Sequence, residues 1–498
     1  MNLVSVQSVF DFDKVSYEKD TEVHLDVVLT APERTESKRI PLHLILAIDC
    51  SGSMDCGKLE KVKTTVDKLV DHLTENDSLG VLGFSDNVWE VLAAVPMTKE
   101  NKSLAKRQVQ DLRTHSATNL SEAMTMAMEK AVIADTTKTA RIILLTDGLP
   151  TTGACDKESL VKIASNANQK VSISTFGYGD DFDAELMASI SKMGRGNNFY
   201  IKTDNECNKA FALELGGLLS LYGQNIKLTV TPTGNMLFKE ILSDYECKQK
   251  NGFRLLTPGK VEITIDDIFV GEKKHCILKL EIPKATEAVC ARASKVCDVS
   301  AVYLDTETQK EVTITETVRI HYVKADKVAS EPNLEVKKQL LILETVRLQQ
   351  EAKAKADAGQ YKEAQGILKS ACSFVTANAA IMPNSASYLS NLRGMSDNFT
   401  DSHSYRSKGL KMSTAFSYSL SKGRAASVDS MDMAYSCGEM NEMVRSFSAD
   451  PVIVPSGTII NTPTTIIGVT DPTISVGDSG DQTIPTISVT PTKKTKKA

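Results

Sequence analysis

At 498 residues the chain exceeds what one hydrophobic core ordinarily organises, so two or three domains are expected. Its 58 Lys plus Arg stand against 63 Asp plus Glu, and a net charge of −5 spread over this length gives no sign of a nucleic-acid-binding face. No stretch approaches the roughly 20 consecutive apolar residues of a transmembrane segment, and Met1–Lys14 lacks the basic start and apolar block of a secretory signal.

In chain order, Val23, Leu25, Val27 and Leu29 alternate with mostly polar residues, as a strand with one wet face requires. From Leu42 to Leu221 the pattern changes to alternating strands and helices. Strands are expected at Leu42–Ile48, Ser78–Phe84, Val88–Val95, Arg141–Thr146, Val171–Gly177 and Phe199–Ile201. Helices are expected at Lys58–Leu73, Lys99–Leu112, Leu120–Ile133, Asp156–Asn168, Ala184–Lys192 and Cys207–Leu221. Period-two alternation returns around Ile226–Val230, Val261–Ile265, Cys276–Ile282 and Val312–Tyr322. Since an isolated N-terminal hairpin is unstable, residues 1–40 should pair with the later strands, leaving the α/β unit inserted in a β-sandwich. Beyond Leu334 the pattern turns helical, with a break at Gly359 and a second helix from Tyr361 to Val375. Ala358-Gly359-Gln360-Tyr361 has the look of one tetratricopeptide turn, but a single unit reads as a plain helical hairpin. Residues 384–447 are rich in Ser, Met, Tyr and Asn, with helical potential near Tyr388–Leu392 and Ser436–Phe447. The Thr/Pro-rich end, where Pro472–Val476 recurs as Pro485–Val489 before a basic Lys493–Lys497, is expected to be disordered.

The chemistry concentrates at strand ends. Asp49-Cys50-Ser51-Gly52-Ser53 follows the first apolar strand and sets a carboxylate and two hydroxyls at alternate positions of one loop. Hard oxygens so arranged suit a small hard cation, Mg²⁺ or Mn²⁺ ahead of Ca²⁺. Thr118 and Asp147 lie at or beyond other strand ends, where a doubly wound sheet binds its ligands. D-x-S-x-S, then a loop Thr, then T-D-G after an apolar strand resembles the metal-ion-dependent adhesion site of the von Willebrand factor type A domain. The resemblance implies that Ser51 and Ser53 ligate the cation, with Thr118 joining directly or through water. Asp49 and Asp147 would bind the metal or hold its waters and orient the hydroxyls. It also implies a protein partner that offers an Asp or Glu to the metal. The wider layout is similar to eukaryotic cytosolic type A proteins with a helical C-terminal extension, among them plant RING-bearing proteins.

The expected fold is therefore α/β: a doubly wound, mostly parallel, Rossmann-like sheet, inserted in or flanked by a β-sandwich and followed by helices and the tail. The domain map is 1–40 and 223–328 for the β unit, 41–222 for the α/β unit, 329–447 for the helices and 448–498 for the tail. A binding module without catalysis is expected. A haloacid-dehalogenase-type Mg²⁺ hydrolase needs a second acid where Ser51 stands, and His43, His72 and His115 lack a Ser or Cys partner at usable spacing. The other alternative is a scaffold whose β and helical regions carry the contacts. Ten cysteines without a C-x-x-C pair fit reduced thiols in a cytoplasmic protein. A glycan at the Asn119-Leu120-Ser121 sequon would obstruct the metal face, which agrees with that setting.

Overall fold

The computed structural model describes residues 3–33, 40–132, 138–167, 171–247, 250–251, 254–255, 259–328, 331–421 and 438–448. The Thr/Pro-rich tail, its repeat and its basic end lie outside the described residues.

Six strands form the central sheet, in the order Val88–Pro96, Ser78–Phe84, Leu42–Asp49, Thr139–Thr146, Val171–Tyr178, Arg195–Ile201. Only Val88–Pro96 runs antiparallel. Leu42–Asp49 is apolar without alternation because both of its faces are covered. Leu44, Leu46 and Ile48 pack with Val62, Val66 and Phe211 of helices Lys58–His72 and Asp204–Leu219. Ile45 and Ala47 meet Ala123 and Met124 of helix Leu120–Ala131 on the other side. The chain crosses from Leu42–Asp49 to Ser78–Phe84 on one flank and reaches Thr139–Thr146 on the other, so strand order reverses at Leu42–Asp49. The crevice at such a reversal is where open α/β sheets bind ligands.

The β-sandwich is assembled from both sides of this unit. Thr21–Thr30 pairs antiparallel along its full length with Lys273–Ile282, 243 or more residues away in sequence, from Thr30↔Lys273 to Thr21↔Ile282. Ser5–Phe10 adds to its other edge, and Lys14–Ser16 joins Glu311–Val323 in the opposing sheet. Val23, Leu25, Val27 and Leu29 interlock there with Leu228, Val230, Val299 and Ala301 in one apolar core. Strand Ser294–Asp305, absent from the sequence expectations, lies between Leu221–Pro232 and Glu311–Val323. A register shift between Lys295 and Cys297 interrupts its alternation, so Val296 and Cys297 are both buried. Cys297 is thus a core thiol, pushed up to about 12 by burial, and all eight described cysteines given a state are free.

A buried ion pair ties the two units. Arg141, near the start of its strand, reaches Asp267 Oδ2 with Nη2 at 2.9 Å, and both residues are buried. The helices Leu334–Asp357 and Tyr361–Ala377 form a hairpin turned by Gly359 at φ 76°. Helix Leu410–Ser421, which the composition does not announce, packs against Ala184–Met193 and Arg195–Ile201, and Tyr418 Oη donates to the Gly196 carbonyl at 2.7 Å. Helix Gly438–Ser448 docks on Asp204–Leu219, where Gly216 and Gly217 leave room for Met440. Its Phe447 ring is buried and stacks on His72 at 5.2 Å.

Asp267→Ala strands the Arg141 guanidinium, and urea unfolding should register a loss of about 3–5 kcal/mol. Phe447→Ala should abolish hydrogen-exchange protection across 438–448 while the central strands keep theirs, because that ring is the helix's deepest anchor.

Candidate metal centre

Asp49 is the last residue of its strand and Asp147 follows the neighbouring strand, so both carboxylates emerge at the same sheet edge. Both residues are 0% exposed. Asp49 Oδ1 accepts from the Ser51 amide at 2.8 Å, and its Oδ2 accepts from the Thr146 hydroxyl. These bonds shape the loop. The Ser51 and Ser53 hydroxyls lie 3.0 Å apart, and Ser53 Oγ donates to Asp147 Oδ1 at 2.6 Å. Four of the five expected site residues are thus joined in one hydrogen-bonded chain.

Thr118, expected at a strand end, lies instead on the loop between helices Lys99–Gln110 and Leu120–Ala131, held by its backbone groups. Its amide donates to Thr151 Oγ1 at 2.8 Å, and its carbonyl accepts from the Thr151 and Thr152 amides at 3.0 and 3.3 Å. Gly148 fills the space between. A Cβ there would lie 3.3 Å from Ser53 Oγ and 3.7 Å from Thr118 Oγ1. Among the described residues the Thr118 hydroxyl has no hydrogen-bond partner, while Ser53 is the exposed member at the mouth of the cluster. The donor set is therefore two carboxylates and three hydroxyls, one of them unengaged.

The electrostatics favour added positive charge. Burial pushes the Asp49 carboxyl up to about 6, against the hydrogen bonds from Thr146 and Ser51, and the nearby Asp147 raises it further. Hard oxygens, an unengaged hydroxyl and a carboxylate short of counter-charge fit a small divalent cation. Cys50, between Asp49 and Ser51, is buried and pushed up to about 12 by burial and by Asp49, which keeps it a thiol.

Two groups at the site escaped the sequence reading. Lys58 Nζ forms an ion pair with Asp147 Oδ2 at 2.5 Å. The Thr146 hydroxyl supports Asp49 from beneath. Lys58 carries no motif signal, since a Lys opening a helix is ordinary, whereas Thr146 stands in the T-D-G run but is given no role there. Asp55 turns its carboxylate to the adjacent Cys56 amide at 2.9 Å rather than toward the cluster. The expectation that His43, His72 and His115 lack a Ser partner is corrected for two of them, since folding brings Ser78 Oγ to His43 and Ser446 Oγ to within 3.1 Å of His72 Nε2 from segments distant in sequence. His43 is held by Ser78 Oγ at 2.6 Å and the Lys130 carbonyl at 2.9 Å, and burial lowers its pKa. His115 stands edge-on to Trp89. Asn119 caps helix Leu120–Ala131, and its Nδ2 donates to Glu122 Oε2 at 2.8 Å, the nitrogen a glycan would need.

Thr146→Val should lower stability by about 1.5–3 kcal/mol in a thermal melt with chelator present, because a buried carboxylate loses a charge-assisted donor.

Residues 43–212 match the family model of the von Willebrand factor type A domain. The uncharacterized protein sll0103 of Synechocystis sp. is 28% identical over 188 residues, covering 38% of this chain and 44% of that protein. The E3 ubiquitin-protein ligase WAV3 of Arabidopsis thaliana is 25% identical over 339 residues, covering 67% of this chain and 43% of that protein. The chain thus spans less than half the length of these curated relatives. Among solved structures, a von Willebrand factor type A protein from Catenulispora acidiphila superimposes with a TM-score of 0.62 at 14% identity, over 83% of this chain and 99% of that one. The ArnB paralog VWA2 of Sulfolobus acidocaldarius gives 0.54 at 17% identity, over 84% and 99%. At these identities the likeness is one of fold, and it extends well beyond the central sheet.

Proposed function

From the premise that residues 43–212 are a von Willebrand factor type A domain, a module that commonly mediates protein–protein contacts, we propose that this protein captures an Asp or Glu of a protein partner through a divalent cation, Mg²⁺ or Mn²⁺. The residues holding the cation are Asp49, Ser51, Ser53, Thr118 and Asp147. The observation that most supports this reading is the chain Ser51 Oγ–Ser53 Oγ–Asp147 Oδ1, at 3.0 and 2.6 Å, placed at the strand-order reversal. Bound there, a divalent cation supplies an electrophilic point on which a carboxylate can close.

The chain's own residues do the rest. Asp49 fixes the loop through the Ser51 amide, so the hydroxyl oxygens are aimed before any partner arrives. Ser53 and Leu149 face solvent, and Leu149 at 54% exposure gives the partner an apolar shoulder beside the polar centre. Binding rather than catalysis fits this set, because the position a general acid would need is Ser51 and the described histidines near the sheet are engaged elsewhere. A cytoplasmic setting fits the free thiols and the internal use of Asn119 Nδ2. Among the described residues no helix is long and apolar enough to cross a membrane. The likeness to part of an E3 ubiquitin-protein ligase is compatible with a recognition role.

Calorimetry on the full chain should give saturable binding of one Mn²⁺ or Mg²⁺ per protein. Asp49→Ala and Ser53→Ala should abolish it. Equal binding by Asp49→Ala would refute the assignment. Partner retention should then be lost in EDTA, lost in Asp147→Ala and regained with Mn²⁺ in the wild type. Partners that survive both chelation and Asp147→Ala would instead locate the contacts on the β-sandwich or the helices.

A further inference from the structure

Two successive residues in left-handed backbone, Cys56 at φ 60° and Gly57 at φ 94°, turn the loop so that helix Lys58–His72 begins beside the cluster. The Lys58 side chain, 24% exposed, passes Gly179, where a Cβ would lie 3.5 Å from Nζ. It ends on Asp147 Oδ2 at 2.5 Å. The other oxygen of the same carboxylate holds the Ser53 hydroxyl at 2.6 Å. One buried carboxylate therefore carries a candidate ligand on one side and an internal cation on the other.

Charge balance gives that arrangement its meaning. Asp49 and Asp147 are both 0% exposed, and Lys58 is the cationic side chain that pairs with either of them among the described residues. A buried carboxylate without a counter-charge is strongly unfavourable. With Lys58 in place the ionised group carries one net negative charge. Adding a divalent cation while Lys58 stays would overshoot to one net positive charge. Adding the cation while Lys58 withdraws brings the group to neutrality.

We propose that Lys58 is the resident counter-cation of the site: its ammonium neutralises Asp147 until a divalent cation binds, and it must leave Asp147 for that binding, so Lys58 sets the cation concentration the protein requires. This rests on the metal reading of the cluster. The residue type suits the task. An ammonium is a compact, strongly hydrated charge on a flexible stem, and the partial exposure of Lys58 gives it a route to water by rotation of that stem. A guanidinium would grip the carboxylate at two points and resist release.

The test uses the full chain at one pH and ionic strength, comparing wild type with Lys58→Met and Lys58→Arg. Thermal melts in EDTA read the metal-free state, and Mn²⁺ calorimetry reads the competition. Lys58→Met should melt lower than wild type in EDTA and bind Mn²⁺ more tightly by on the order of tenfold, since a like charge near the cation is gone. Lys58→Arg should keep the EDTA melting temperature and bind Mn²⁺ no more tightly than wild type. If Lys58→Met fails to fold, Lys58→Gln, which keeps a donor for Asp147 without the charge, should show the same tightening. Unchanged or weaker Mn²⁺ binding by the neutral variants, with wild type binding normally, overturns the proposal and leaves the metal reading intact. An unchanged EDTA melt also overturns it. Absence of Mn²⁺ binding in every protein overturns both.

Discussion

Burying two carboxylates side by side at the end of a parallel sheet sets the conditions for every residue around them. Asp49 and Asp147 have no solvent contact, so their charge is answered locally by the Thr146 and Ser53 hydroxyls, the Ser51 amide and the Lys58 ammonium. Each of these groups is held by a different structural device. Thr146 ends a strand, Ser51 caps and Ser53 lies within a one-turn 3-10 helix, and Lys58 opens a long helix after two left-handed residues. The same constraint explains the poise of the site. Hydrogen bonds alone leave Asp49 pushed upward by burial, so the cluster has a standing demand for positive charge.

That local arrangement depends on rigid surroundings. The strand carrying Asp49 is packed on both faces, and the registers Ile48↔Leu145 and Asp49↔Phe84 fix the height at which each loop leaves the sheet. The opposite end of the same sheet is anchored to the β-sandwich through Arg141 and Asp267. Lys353 of the first C-terminal helix meets Glu185 at 2.7 Å, and Tyr418 reaches the Gly196 carbonyl, so the helical segment braces the far flank. The sheet edge that carries Asp49 and Asp147 opens to solvent at Ser53. A partner would therefore meet a preorganised surface, which lowers the ordering entropy of binding.

Much of the fold was legible because its signals are local. A buried parallel strand reads as an unbroken apolar run, a surface helix as a 3.6 period and a sandwich strand as a period of two, and each depends on which faces its own residues bury. The elements that escaped lack those signals for identifiable reasons. Ser294–Asp305 has its alternation shifted by a bulge at Lys295–Cys297. Leu410–Ser421 is rich in Ser and is held by distant groups, Gln349 on Ser413 and Ser417 and Gly196 on Tyr418. Its helix exists through tertiary contact rather than intrinsic preference.

The sequence by itself determined the chemistry available at the site: a carboxylate and two hydroxyls at alternate loop positions and a second carboxylate after a later strand, assigned to one sheet edge by strand polarity, whereas Thr118, between two helices, reaches that edge only through packing. It also determined that strands on both sides of the α/β unit would need one another, since Thr21–Thr30 has an apolar face that only a partner sheet can cover. Tertiary structure alone decided the state of those groups. That Asp147 is shared between Ser53 and Lys58, that Asn119 spends its amide on a helix cap and that Asp55 turns away are outcomes of distances between segments far apart in sequence. Residue type fixes what a side chain can donate or accept, but its partner is chosen by which loops packing brings within 3 Å or so, and that selection is a property of the whole folded chain.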